Sequence, residues 1–424
     1  MNAMAASENR PSGALERPPG PGAATQNEAG VAAPPTGSPR LRLLVLIDDL
    51  GAASPDRLWL DAAPGLQKHD CDVIIASPGR WGPLADALQE RGLRAVAFGG
   101  RHGFDPPLVG RMLSLLRRER IHVVHAQAWL SNLLARTVGR LADAPVVITT
   151  HHPASLARRP LRALLDRLTA GLADALVAPT EPARRDALRR TGLRPGRVLA
   201  LPRGIALPLP LSAAGREAAR LALGAAPGES LIGCATRAAD PGGGLEIVLQ
   251  AAGLLANDRP DVRFVVIGSS RSRTRIEELA ARAGVGHRTV IGAARLDGAA
   301  SLAALDLLVD PAIEERPDPD VLEAMAAGVP VIATRVGARA EEVLDGETGS
   351  LVPPRDAGAL ARACAALLGD PGRLRRSGAA GRQRAAERFS FDAAVARSAG
   401  LYRELLRQRR SGSDEGAPLP WEMA

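Results

Sequence analysis

From Leu41 onward, short apolar runs alternate with longer stretches in which apolar residues recur at helical spacing. The runs are Leu41–Ile47, Asp72–Ser77, Arg94–Phe98, Val123–Gln127, Val146–Thr150, Ala175–Thr180 and Val198–Leu201. They lack polar alternation, which implies strands covered on both faces. With helices between them, they predict a doubly wound parallel sheet. The pattern pauses at Pro202–Leu211 and restarts with Leu231–Thr236, Arg263–Gly268, Thr289–Gly292, Asp306–Asp310, Val329–Thr334 and Ser350–Val352. After the last run, Asp356 is placed to cap a helix with Leu360, Cys364, Leu367 and Leu368 on one face, stopped by Gly369-Asp370-Pro371. Phe391–Arg409 reads as a long amphipathic helix through Leu401, Leu405 and Leu406.

The expected fold class is therefore α/β, with Rossmann-like domains at 40–205 and 206–390 and a terminal helix at 391–410. Residues 1–39 are rich in Pro, Gly and Ala, and they read as a disordered tail, as do 411–424. A length of 424 residues suits two domains that each bury a core. Aromatics are 2% of the chain, so the cores must be aliphatic.

The formal charge of +8 comes almost wholly from Arg, Lys68 being the only lysine. A basic surface favours anionic partners such as nucleotide sugars, anionic lipid headgroups or polyanionic glycans. The scarcity of aromatics and the lack of a recognition motif argue against nucleic acid. Cys71, Cys234 and Cys364 are scattered, with no spacing for a disulfide framework or a zinc site, and a reducing cytoplasm is the simplest setting. No apolar run approaches the ~20 residues of a membrane span.

The most informative stretch is 315–334, ERPDPDVLEAMAAGVPVIAT, with Glu315 and Glu323 followed by Gly328 and an apolar strand. It resembles the donor-sugar segment of glycosyltransferase family 4, E-G-F-G-x4-E-A-M-A-x-G-x-P-V-(I/V)-A-(T/S). The second half agrees almost letter for letter, whereas Arg316-Pro317-Asp318 stands where Gly-Phe-Gly is usual. The resemblance covers about residues 40–410 and implies the GT-B architecture, two Rossmann-like domains facing a cleft with a C-terminal helix crossing back. It implies an acceptor domain followed by a donor domain. It also implies transfer, with retention, from a nucleoside diphosphate sugar to a glycan, lipid or small-molecule acceptor, without cofactor or metal.

Residue by residue, the resemblance places Glu323 on the donor ribose and Glu315 and His151 beside the donor sugar. Arg237 would neutralise the diphosphate, Gly243 and Gly244 would offer backbone amides, and Gly51 would approach donor and acceptor. Each has a plainer explanation: Glu323 near a helix start also suits the macrodipole, and the glycines also suit a flexible turn. His125, another strand-end histidine, is a lesser candidate on the acceptor side.

Several positions depart from the family pattern. Asp318 has the chemistry of an N-cap and Pro319 that of a first helical residue, which makes a good helix start and a poor diphosphate cradle. Glycine replaces the family's diphosphate lysine, Gly51-Ala52-Ala53-Ser54 replaces Gly-Gly-x-Glu, and Pro202-Arg203-Gly204-Ile205-Ala206 replaces P-N-G-(V/I)-D. These departures keep open a second reading, a non-catalytic descendant that retains the fold for binding or assembly. Finally, the segment Ala154–Leu172 sets Arg158, Arg159, Arg162 and Arg167 among leucines. It reads either as a face for peripheral contact with anionic membrane or, more commonly, as a solvated charged face over a packed leucine stripe.

Overall fold

The computed structural model describes residues 40–51, 58–100, 105–152, 160–235, 243–267, 273–291, 298–315 and 319–411. The expected N-terminal tail, residues 412–424 of the expected C-terminal one, Arg237, Arg158, Arg159 and the Arg316-Pro317-Asp318 replacement lie outside these residues, while Ser411 belongs to the terminal helix. The first half runs β1 (Leu41–Leu46), α1 (Trp59–Lys68), β2 (Cys71–Ser77), α2 (Pro83–Glu90), β3 (Arg94–Ala97), α3 (Pro106–Arg118), β4 (Val123–Ala126), α4 (Trp129–Leu141), β5 (Val146–Thr150), α5 (Pro160–Ala170), β6 (Ala175–Ala178), α6 (Glu181–Thr191) and β7 (Val198–Ala200). The second half runs α7 (Ala213–Ala222), β8 (Ser230–Ala235), α8 (Leu245–Ala256), β9 (Val262–Ile267), α9 (Arg273–Arg282), β10 (Thr289–Ile291), α10 (Gly298–Ala303), β11 (Leu307–Asp310), α11 (Asp320–Ala326), β12 (Val331–Thr334), α12 (Arg339–Glu342), β13 (Gly349–Val352), α13 (Ala357–Leu368), α14 (Pro371–Arg384) and α15 (Phe391–Ser411).

Each apolar run of the sequence forms a strand. The first sheet has the order β3-β2-β1-β4-β5-β6-β7 and the second β10-β9-β8-β11-β12-β13, both parallel. Strand order reverses between β1 and β4 and again between β8 and β11, opening a crevice at the carboxyl ends, where such sheets present ligands. Along β1, Leu43 and Val45, with Ile47 beyond it, pack under α1, α2 and α15, while Leu44 and Leu46 pack under α3 and α4. Both faces are buried, as the unalternated runs require.

The family-like segment folds as a helix, a tight turn and a strand. Pro319 lies in the helical region (φ −79°, ψ −11°) and its carbonyl accepts from the Glu323 N–H at 2.8 Å, with regular helix from Asp320. Gly328 (φ +79°) ends α11, with Val329 N–H donating to Ala324 O at 2.9 Å and Gly328 N–H to Met325 O at 2.9 Å. This is a Schellman closure, which needs a residue free to take positive φ. The strand therefore starts at Val331 rather than Val329. Asp356 caps α13 through the Ala359 N–H at 2.7 Å, and Asp370 caps the next helix through Arg373 N–H at 2.9 Å.

Helix α15 returns to the first sheet and buries Val395, Ala399, Leu401 and Tyr402 there. Its start is stitched to the hinge, with Ile205 N–H donating to Phe389 O at 2.8 Å and Phe391 N–H to Ile205 O at 3.0 Å. A Cβ at Gly204 would lie 2.7 Å from Phe391 Cα, so this hinge position has to be glycine.

Helix α5 corrects the expectation of a packed leucine stripe. Leu161, Leu164 and Leu168 are 68%, 53% and 69% exposed, whereas its aspartate, Asp166, is buried. The reason lies beneath it, where Arg136 on α4 is 1% exposed and binds Asp166 Oδ1 at 2.6 Å, Thr149 Oγ1 at 3.1 Å and Thr169 Oγ1 at 3.2 Å. A buried guanidinium needs a paired carboxylate, and satisfying it turns the apolar side of the helix outward. No described helix is long and apolar enough to cross a membrane.

Candidate active site

The carboxyl edge of the first sheet collects the strand-end polar residues. After β1, Asp48 accepts from Ser131 N–H at 2.8 Å and so fixes the start of α4, while Asp49 Oδ1 takes the Gly51 N–H at 2.9 Å. The Gly51 amide is thus engaged by its own turn, and a Cβ on it would sit 2.8 Å from Asp49 Oδ2. After β4, His125 is buried, with Nδ1 2.7 Å from Tyr402 Oη and Nε2 near Thr150 Oγ1 (3.1 Å) and Gln127 Nε2 (3.0 Å). Burial pushes its pKa down to about 3, so it is neutral, and its hydrogen bond to Tyr402 joins α15 to the sheet.

His151, at the end of β5, is 2% exposed, and its Nε2 lies 2.9 Å from Asp186 Oδ2 on α6. Burial lowers its pKa, against the opposing pull of the Asp186 carboxylate. Burial works against ionisation of Asp186, but hydrogen bonds from His151 and Arg190 outweigh it and hold the carboxyl below its ordinary range. An ionised carboxylate only accepts, so the imidazole proton sits on Nε2. His152 accepts from the Arg203 guanidinium at 3.2 Å, and burial, then the Arg203 charge, pushes its pKa down to about 4.

On the second sheet, Gly244 takes φ +81° at the start of α8, and a Cβ there would fall 2.1 Å from Pro311 O. That close approach brings the Gly243-Gly244 turn against the loop after β11, which carries Glu315. Glu315 itself is exposed and rests on Gly337, where a Cβ would be 2.6 Å from Glu315 Cγ. Below it, Arg339 is buried and ion-paired with Asp310 at the end of β11. Glu323 is half-buried in the first turn of α11.

The two edges meet at the first turn of α6. Thr180 caps that helix, accepting from Ala183 N–H at 3.1 Å, and its hydroxyl donates to Glu315 Oε1 at 3.2 Å. Beside it, the Glu181 N–H donates to both carboxylate oxygens of Glu341, at 3.0 and 3.2 Å. Burial of Glu341 raises its pKa; the Glu181 N–H and Arg185 oppose this, while the Glu181 and Glu315 charges add to it. The structure thus brings Glu315 to the helix that also anchors His151, and sets Gly244 against the same loop system. Thr180, Glu341 and Asp186 were missed from sequence, and Arg203 was read only as a departure from the P-N-G-(V/I)-D pattern. Thr180-Glu181-Pro182, directly after a strand, is an N-cap signature that could have flagged the first.

Among the described residues no cluster of His, Cys, Asp or Glu could hold a metal ion. The three thiols are buried, with pKa values pushed up to about 11 for Cys71 and about 12 for Cys234 and Cys364, mainly by burial. They are therefore protonated packing groups.

Comparison with known proteins bears on the family and the fold. The family described as Glycosyltransferase Family 4 matches residues 56–207, and Glycosyl transferases group 1 matches residues 229–370. A D-inositol 3-phosphate glycosyltransferase of Streptomyces bingchenggensis is 31% identical over 309 residues, covering 68% of this chain and 68% of the relative. Its namesake from Xylanimonas cellulosilytica is 32% identical over 308 residues, covering 68% and 73%. Among solved structures, Anabaena HepE in complex with UDP superposes with a TM-score of 0.73 at 17% identity, covering 86% of this chain and all (100%) of HepE. A glycosyltransferase from Rickettsia africae gives 0.71 at 18% identity, covering 87% and 99%.

Proposed function

Because this chain belongs to glycosyltransferase family 4, we propose that it moves a sugar from a nucleoside diphosphate sugar to an acceptor hydroxyl, with retention at the anomeric carbon. The observation that carries this is the placement of Glu315, on the loop after β11, against Thr180, the cap of α6 after β6. In the reaction the bond from the anomeric carbon to the diphosphate breaks and a bond to the acceptor oxygen forms on the same face. The acceptor proton ends on the departing phosphate oxygen. The transition state is oxocarbenium-like, and fixed carboxylates beside it are the preorganised charge such a step uses. Glu323 is assigned to the ribose, Arg237 and the Gly243-Gly244 turn to the diphosphate, and Glu315 to the sugar, with His151 fixed by Asp186 beside it.

Calorimetric titration with UDP, GDP and ADP is the first test. Binding by one of them, lost in Glu323→Ala and Arg237→Ala, supports the reading. Absence of binding at millimolar nucleotide would leave the non-catalytic descendant standing. Proton NMR of the product anomer then decides retention. The relatives' names point to a phosphorylated polyol as the first acceptor to assay.

A second observation favours an acceptor at a lipid surface. The outward leucines of α5 continue into Leu172 (41% exposed) and, at the end of α4, Leu141 (60%). Arginines border them: Arg117 donates to Leu141 O (2.9 Å), Arg140 to Leu172 O (2.7 Å) and Arg197 to Gly171 O (3.2 Å), while Arg162 stacks on Trp129 at 4.6 Å. An apolar centre with a cationic rim suits anionic headgroups. Co-sedimentation with phosphatidylglycerol vesicles, but not with phosphatidylcholine vesicles, is expected for the full chain. Equal sedimentation of the triple variant Leu161→Gln, Leu164→Gln, Leu168→Gln would remove this reading.

A further inference from the structure

The first turn of α6 meets the second half of the chain through two carboxylates, and both are held in place from behind. Glu315 rests on Gly337, whose φ of +57° and close backing leave no room for a side chain. Glu341 sits on α12, which the Arg339–Asp310 ion pair ties to β11. From α14, Arg384 donates to Glu342 O at 2.9 Å and to Glu341 O at 2.6 Å. On the opposite wall, α6 is an 11-residue helix whose cap, Thr180, uses one oxygen both to accept from Ala183 and to donate to Glu315.

We propose that Thr180 and Glu341 are positioning residues. Together they dock the first half of the chain onto the second at the start of α6 and hold Glu315 in the orientation that transfer requires. The proposal rests on the reading of Glu315 as the donor-facing carboxylate. Thr180 restrains the Glu315 side chain directly, and Glu341 holds the turn that carries Thr180. Misplacement of a reacting group by ~1 Å can lower a rate about a hundredfold, so two hydrogen bonds that set its position belong to turnover rather than to donor affinity.

The chemistry of the contact supplies its own controls. Serine at 180 can still accept and donate, whereas valine, nearly the same shape, can do neither. Glutamine at 341 keeps an oxygen for the Glu181 N–H, and alanine does not. With the whole 424-residue chain, hydrolysis of whichever of UDP-glucose, GDP-mannose and ADP-glucose the unmodified chain turns over is the kinetic readout. Thr180→Val and Glu341→Ala are expected to lower kcat by about tenfold or more with KM within about threefold, while Thr180→Ser and Glu341→Gln recover most of the rate.

Hydrogen exchange across Glu181–Ala183 reports the contact without any substrate. It should accelerate in Glu341→Ala and stay near the parent value in Glu341→Gln. Unchanged exchange in Glu341→Ala, faster exchange with unchanged kcat, or a loss confined to KM would each overturn the proposal. A parent protein that binds no nucleotide would instead remove the donor reading, and the exchange result would still show whether the docking contact exists.

Discussion

Glu341 is half-buried, and burial first, then the Glu181 and Glu315 charges, act on its carboxylate against the Glu181 N–H and the Arg185 charge. Its pKa is raised in consequence, so in the fold it takes up a proton more readily than an ordinary exposed glutamate. The stability this group contributes to the fold is therefore present below the ordinary glutamate pKa and lost as pH rises through the raised value. Urea unfolding should show stability falling as pH rises above the ordinary glutamate range, and Glu341→Gln should flatten that dependence. His151 depends on a different anchor, because Asp186 fixes both its ring and its tautomer. Asp186→Asn is expected to lower turnover by about tenfold or more, with imidazole nitrogen shifts in NMR reporting the lost preference for Nε2–H. Glu315 and Glu323 could be proposed from the sequence because their motif spacing survives in the chain. Glu341 and Asp186 could not, because each acquires its meaning from a helix that only the fold brings near.

Helix α5 shows what periodicity leaves undecided. Leucines at helical spacing announce an apolar face, but the pattern alone does not say whether that face turns inward. Here one buried cation decides it, since Arg136 is fully enclosed and requires Asp166 beneath the helix. Asp166→Ala is expected to cost about 3–5 kcal/mol in urea unfolding, because it strands a buried charge. Replacing Leu168 by Gln on the outward face should stay within about 0.5 kcal/mol of the parent in the same measurement. Elsewhere the elements were readable: each unalternated apolar run became a strand buried on both faces, and Gly328 closed α11 by the positive φ its position demanded.

Across the whole molecule, the His125–Tyr402 hydrogen bond joins the first sheet to the returning helix α15. The fold keeps His125 neutral, with its pKa down at about 3 rather than the ordinary 6.5. Because the folded pKa is depressed, stability present above pH ~6.5 is lost as pH falls towards ~3. Thermal unfolding followed from pH 7 downward should steepen over that window, and His125→Gln should remove part of the slope. The two-sheet architecture was legible in the restart of the strand pattern after Pro202–Leu211. The closure of the cleft was not, since it depends on contacts such as Thr180 to Glu315 between residues 135 positions apart.

The return of α15 also sets an order of events during synthesis. His125 receives its partner from a residue 277 positions downstream, so the first sheet leaves the ribosome with Leu401 and Tyr402 still unmade. At ~5–20 residues per second, that interval is on the order of tens of seconds. Throughout it, the apolar surface that α15 will cover is bare on an emerging chain. The first domain to be translated is thus the one that must wait for the last described helix, and a nascent chain stalled before Phe391 is where chaperone engagement should be greatest.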